Sequence, residues 1–355
     1  MPSPFMKRTM VLAAWLAIMG QSSWAQGSAN PSSPAHANSS QARKMTEKIV
    51  FEHADTNSLG LAQTSSGALG YGSVIVDNLI GHEIAFMSPA GSGITELHVY
   101  GSHPTLSPDG GKIAYCSGRD TQYFQIYTMN PDGTGQKRLT NNSTGDACGP
   151  AWSRDGKKIA FYAFAIPNPD RNSQIWVMDA DGSSPKLLMD HGIDPAWSPD
   201  AASIVYSARV GNTFQIYAMN SDGTNARRLT NHKAEDSNPA WSPDGQVIAY
   251  VSETQGDLHA LHIMAADGSK QHMLAFSKHQ DFCFPAWSVD GKTIAFTALY
   301  NLGRQNPLAG EEQPRCDLRT GEYTTQILDS TGKAHQITDS KIRALRPSYG
   351  WMPVP

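Results

Sequence analysis

The apolar positions of this chain come in short blocks cut off by polar turn residues, and no stretch sustains the three- and four-residue spacing of an amphipathic helix. Typical blocks are Lys158-Ile-Ala-Phe-Tyr162, Val247-Ile-Ala-Tyr250 and Ile126-Tyr-Thr-Met129. They are β-branched and aromatic, as suits a pleated surface, so each is read as a strand. Asp-Gly pairs stand between them. Asp can bond the backbone ahead of it and Gly accepts positive φ without steric cost, so these pairs predict hairpin turns.

The blocks recur. One box reads Pro104-Thr-Leu-Ser-Pro-Asp-Gly110, Pro150-Ala-Trp-Ser-Arg-Asp-Gly156, Pro195-Ala-Trp-Ser-Pro-Asp-Ala201, Pro239-Ala-Trp-Ser-Pro-Asp-Gly245 and Pro285-Ala-Trp-Ser-Val-Asp-Gly291, with steps of 46, 45, 44 and 46 residues between prolines. A degenerate sixth copy, Pro347-Ser-Tyr-Gly-Trp351, follows after 62 residues. A second box interleaves with the first: Ile126 to Gly133, Ile175 to Gly182, Ile216 to Gly223 and Leu261 to Gly268, with weaker copies at Ile84 to Gly91 and Leu328 to Gly332. Each unit therefore reads as four strands: the Pro-Ala-Trp-Ser segment, the run after the first Asp-Gly, the Ile-Tyr-x-Met segment, and a closing strand such as Lys137 to Thr140 or Arg227 to Thr230. A four-stranded sheet repeated about every 45 residues is a propeller blade, and six units predict an all-β, six-bladed propeller of antiparallel blades.

The order of the boxes also predicts how the ring closes. The earliest box is a third-strand type and the last, Pro347 to Trp351, is a first-strand type, so the last blade combines segments from both ends of the chain. Its second strand is read as Glu47 to Phe51 in preference to Ser73 to Asp77, with residues 54 to 80 as an insertion.

The boxes resemble the TolB-type propeller repeats of bacterial envelope proteins, which also occur in the propeller domains of prolyl-oligopeptidase-like peptidases. The resemblance covers about residues 84 to 351. TolB-type proteins carry an amino-terminal α/β domain ahead of the propeller, whereas here a Ser/Asn/Pro/Ala-rich stretch, residues 26 to 46, reads as linker. The role of that domain does not transfer. The expected organisation is a signal peptide over 1–25, the linker, and the propeller over 47–355.

Composition adds the compartment. Lys7 and Arg8 precede the apolar run Met10 to Met19, and Ser23-Trp-Ala25 supplies small residues for cleavage, the three-part pattern of a secretory signal peptide. No other stretch approaches the roughly 20 apolar residues of a membrane helix. The expected location is periplasmic or secreted. The formal charge is −4, from 28 basic and 32 acidic side chains, with no Lys/Arg block that would track phosphates, so nucleic acid is not an expected partner. A monomer is expected. The four cysteines are an even number in a compartment where disulfides persist. Their places in the units predict Cys116–Cys148 and Cys283–Cys316 bridges, with buried free thiols as the alternative.

Function is expected where the units differ. The two Asp-Gly turns of each blade share one face of the disc. The other face gathers the connections entering each first strand, which bring His103, Asp146, His191, Asp194, Glu235, Asp236, Asn238, Asp281, Arg343 and Arg346 toward the channel mouth. It also carries the long fifth-blade insertion Asn301 to Glu322, with Arg304 and Arg315, and a shorter loop, Ala165 to Ser173. These residues are the candidate partner- or ligand-binding set. Asp179-Ala-Asp181-Gly182 begins like a calcium loop but lacks its third ligand and closing Glu, so it is read as a turn. Trp152, Trp197, Trp241 and Trp287 are read as wedges between blades. There is no GxSxG, HExxH or P-loop, and no catalytic residue or cofactor is assigned. The resemblance thus implies an envelope protein-binding platform. The alternative is an enzyme with a divalent cation at the channel mouth, as in oligogalacturonate lyases, whose propeller uses similar repeats. Export predicts a processed chain beginning at Gln26, and the intact mass of protein recovered from the periplasm or medium checks it.

Overall fold

The computed structural model describes residues 45–54, 82–165, 173–211, 213–254, 258–300, 322–328, 333–338 and 343–353. Its strands form six four-stranded antiparallel sheets, and no helix occurs among the described residues. The first blade is Ser102–Leu106, Ile113–Ser117, Gln125–Met129 and Lys137–Arg138. The second, third, fourth and fifth blades begin with Gly145–Trp152, Ile193–Trp197, Asp236–Trp241 and Gln280–Trp287. The sixth has the order Arg343–Pro353, Met45–Ala54, His82–Met87, Thr95–Tyr100. Glu47 to Phe51 is therefore the second strand of that blade, as expected from sequence, while Ser73 to Asp77 lies outside the described residues.

Each Ser-x-Asp-Gly box builds the same turn. In the fourth blade Ser242 Oγ donates to Asp244 Oδ1 at 2.6 Å, Val247 N donates to Ser242 Oγ at 3.0 Å, and Gly245 N donates to Ser242 O at 3.0 Å. The corresponding Ser–Asp bonds in the other boxes measure 2.5 to 2.8 Å. The second Asp-Gly turn has a further job. Gly182 and Gly223 sit at φ +93° and +92°, and a Cβ on either would lie 3.0 Å from the carbonyl oxygen of Leu139 or Leu188 in the preceding blade. Glycine is thus required both by conformation and by close approach. The carbonyls of these turns also accept cations from the preceding blade: Lys137 Nζ reaches Asp181 O at 2.9 Å, and Lys186 Nζ reaches Asp222 O at 3.0 Å.

The closing strands are shorter than expected. In place of Lys137 to Thr140, only Lys137–Arg138 is strand, because a hydroxyl takes over from the backbone. Leu139 N still donates to Ile126 O at 2.8 Å, but Ile126 N donates to Thr140 Oγ1 at 2.9 Å. The third blade repeats this with Thr230 Oγ1 at 3.0 Å from Ile216 N, and the fifth with Thr338 Oγ1 at 2.8 Å from Thr325 N.

The core lies in the seams between blades. Five buried apolar clusters each span neighbouring blades: residues of the first, second and third; third and fourth; fourth and fifth; fifth and sixth; and sixth and first. Glu47 Oε1 adds a polar link across the fifth and sixth, accepting Val289 N at 3.0 Å. Ser242→Ala would strand the buried Val247 N and free Asp244; a loss of about 1–3 kcal/mol is expected. Urea unfolding, with Asp244→Asn as the milder comparison, measures it.

Candidate partner-binding face

A bulge shapes the first strand of each of the first five blades at its loop-face end. The residue before each box proline is left-handed: His103 at φ 52°, Gly149 at 60°, Asp194 at 52°, Asn238 at 50° and Phe284 at 53°. Strand register slips at the same places. Extended backbone is the usual preference before proline, so these five positions are held by the sheet around them. Two of the bulge residues meet across neighbouring blades, Asn238 Nδ2 donating to Asp194 Oδ2 at 2.8 Å.

Other residues expected at the mouth are instead buried in the seams. Asp146 is fully buried and accepts Phe124 N of the first blade at 2.7 Å. Burial pushes its carboxyl up to about 6 against that hydrogen bond. Asp281 is 4% exposed and accepts both the backbone N of His259, at 2.6 Å, and its Nδ1, at 3.0 Å. Burial opposes charge on His259, but the hydrogen bond and charge of Asp281 outweigh it and raise the imidazole pKa. Asp236 is fully buried with His232 Nε2 at 3.2 Å, and desolvation raises its pKa. Glu235 stays half-buried at the surface and His191 is exposed. Carboxylates placed at element ends by sequence are thus drawn inward wherever a facing backbone N–H or imidazole offers a partner.

The Cys116–Cys148 disulfide is present, joining the first blade to the second with Cα atoms 5.1 Å apart. His103 lies against it, Nδ1 at 3.3 Å from Cys148 Sγ and the ring edge-on to Tyr162 at 6.1 Å. Cys283 is buried, and Cys316, Arg304 and Arg315 lie outside the described residues, as do most of the insertion 301–322, residues 166–172, and the side chains of Arg343 and Arg346.

Sequence reasoning missed a cavity of about 250 Å³ at the opposite, Asp-Gly end of the channel, lined by Trp152, Trp197, Trp241, Trp287 and the Ser-Pro steps within the boxes. The tryptophans combine this lining with the expected wedging: Trp197 Nε1 donates to Ala151 O and Trp287 Nε1 to Ala240 O, each at 3.2 Å and each in the preceding blade. Their equal spacing in sequence was the available signal. Asp181, read from sequence as a turn residue, accepts Ser183 N at 2.9 Å in that turn.

Six sheets joined by these seams define a six-bladed β-propeller whose repeats match a known kind. Residues 188–313 match the TolB beta propeller domain family, PD40. The chain carries a TolB-like β-propeller. It is 34% identical over 216 residues to a Bacillus subtilis protein described as an uncharacterized peptidase, YuxL, covering 55% of this chain and 29% of that one. It is 33% identical over 124 residues to the Tol-Pal system protein TolB of an Anaeromyxobacter species, covering 34% of this chain and 27% of TolB. The chain therefore spans less than a third of either relative. The crystal structure of TolB from Acinetobacter baumannii superposes with a TM-score of 0.62 at 18% identity, over 85% of this chain and 66% of that one. No helix among the described residues is long and apolar enough to cross a membrane.

The buried groups set a pH dependence. Asp146 and His259 both bind a proton more tightly when folded, so their contributions favour the folded state at low pH. The Asp146 contribution is present below the unfolded value of 3.8 and is lost as pH rises through about 6; that of His259 is lost above 6.5, as pH passes its raised value. Melting temperature should therefore fall from pH 5 to pH 8, and Asp146→Asn, which keeps an acceptor for Phe124 N without charge, should flatten the decline. Calorimetry across that range checks both; an unchanged slope in the variant would refute the assignment.

Proposed function

We propose that this propeller is an exported, rigid platform that holds a protein partner at the bacterial cell envelope through its loop face. The observation that carries the reading is the cross-linking of that face. The Cys116–Cys148 disulfide ties the first and second blades, Asn238 to Asp194 ties the third and fourth, and Asp281 to His259 ties the fourth and fifth. A surface fixed in this way loses little conformational freedom when a partner docks, which favours binding of a preformed shape. The variable segments, led by residues 301–322, supply the recognition on that frame. Similarity to TolB, a Tol-Pal system protein, supports an envelope setting.

The test is quantitative mass spectrometry of what crosslinks to the tagged protein in its native envelope, against a tag-only control. One stoichiometric partner, lost when the 301–322 insertion is shortened while the melting temperature is kept, is the expected result. A preparation with no enriched partner would overturn the platform reading.

A further inference from the structure

We propose that the segment ahead of the first strand docks its Pro31-Ser-Ser-Pro34 stretch in the tryptophan-lined cavity at the Asp-Gly end of the channel, so that the propeller covers this mouth with its own chain. The inference concerns the face opposite the proposed platform and does not depend on that reading.

The cavity offers aromatic surface. Trp152, Trp197, Trp241 and Trp287 line it, one from each of the second to fifth blades, and all but Trp197 are partly exposed. Its volume of about 250 Å³ falls below the roughly 300–1,000 Å³ of pockets that enclose a drug-sized molecule, and so suits a few residues of a peptide. Aromatic-lined grooves are docking sites for Pro-x-x-Pro segments, because a polyproline helix is already ordered and loses little entropy on binding. Pro31-Ser-Ser-Pro34 has that spacing.

The fold delivers this segment to the cavity. In the other five blades the first strand runs from the loop face to the box and turns there into the second strand. In the sixth blade those two strands come from distant parts of the chain, and no turn joins them. Met45 pairs with Pro353 at the box end, and Ala54 with Arg343 at the loop end. The residues before Met45 therefore enter at the Asp-Gly face, one strand spacing of about 4.8 Å outside the innermost strand. Two contacts tie this entry point to the cavity wall. Glu47 Oε1 accepts Val289 N at 3.0 Å, and Ser348 Oγ lies 3.4 Å from Thr105 Oγ1. Val289 and Thr105 both line the cavity. Pro34 stands 11 residues ahead of Met45, a stretch that spans up to about 36 Å when extended. Tethering at such short range gives an effective concentration of about millimolar, so a modest contact is enough.

Charge agrees with this occupant. Residues 26–44 carry Arg43 and Lys44 and no acidic side chain. Five exposed aspartates, Asp109, Asp155, Asp200, Asp244 and Asp290, each follow a residue that lines the cavity. Serine hydroxyl and backbone N–H donors hold Asp109, Asp155 and Asp200 below the usual carboxylate value, which keeps them charged. Arg154 in the lining, and Lys157 and Lys292 beside Asp155 and Asp290, offset part of this field. The carboxylates still outnumber them.

The experiment uses the full chain with benzoylphenylalanine in place of Ser33, irradiated at high dilution and mapped by mass spectrometry. Crosslinks within one chain to the peptides that hold Trp152, Trp197, Trp241 or Trp287 are expected. They should be lost in the Pro31→Ala/Pro34→Ala variant, and weakened by Arg43→Gln/Lys44→Gln and by salt. In ¹⁵N spectra of the same proline variant, without the crosslinker, the indole N–H signals of those four tryptophans should shift. That of Trp176, which donates to Gln174 Oε1 at 3.2 Å on the third strand of the second blade, should stay in place. These substitutions precede the first strand, and an intact cooperative melt confirms that the propeller is folded. Crosslinks that avoid the cavity, that join only separate copies, or that persist in the proline variant overturn the proposal. Cavity indole signals that do not move in that variant also overturn it.

Discussion

The ring depends on the seam between blades. A four-stranded sheet on its own leaves apolar side chains exposed on both faces, and only a neighbour on each side removes them from water. The five buried clusters are all of this kind, each drawing on neighbouring blades. An open row would leave two uncovered faces, and the sixth blade removes both. It packs on the fifth through Ile49, Phe51 and Ala295 and on the first through Val50, Ile113 and Tyr115. Pairing of Met45–Ala54 with Arg343–Pro353 within that blade is part of the same solution.

The seam also separates the two ends of the disc. At the Asp-Gly end it is built from repeated parts: a glycine against the preceding blade's leucine carbonyl, and a lysine or arginine against the next blade's turn carbonyl. These contacts leave little room for change, although the tryptophans around the axis enclose a cavity there. At the loop end three of the six seams carry three different bridges: a disulfide, an amide–carboxylate bond and an imidazole–carboxylate pair. A closed scaffold can vary there without loss of its core, which is why recognition is proposed for that end.

Strand content, turn positions, blade number and the first disulfide were legible in the sequence, because each rests on a local pattern or on the place of a residue within its repeat. The box Ser-x-Asp-Gly contains the donors and acceptors of its own turn, and Cys116 and Cys148 stand at matching ends of adjacent units. The fate of the acidic residues was not legible. Asp146, Asp194 and Asp281 all lie near the start of a first strand, yet one accepts a backbone N–H, one an asparagine amide, and one both the backbone N–H and the ring of a histidine. The difference comes from the bulge, which offsets the end of each first strand against the blade before it, and from what that blade presents. His259 and Glu235, 24 positions apart and without a motif between them, meet only because strand register sets Glu253 beside both. Local periodicity in the sequence therefore determined the architecture, and packing across the seams, where register and burial act together, decided which polar residues stay at the surface and which become partners.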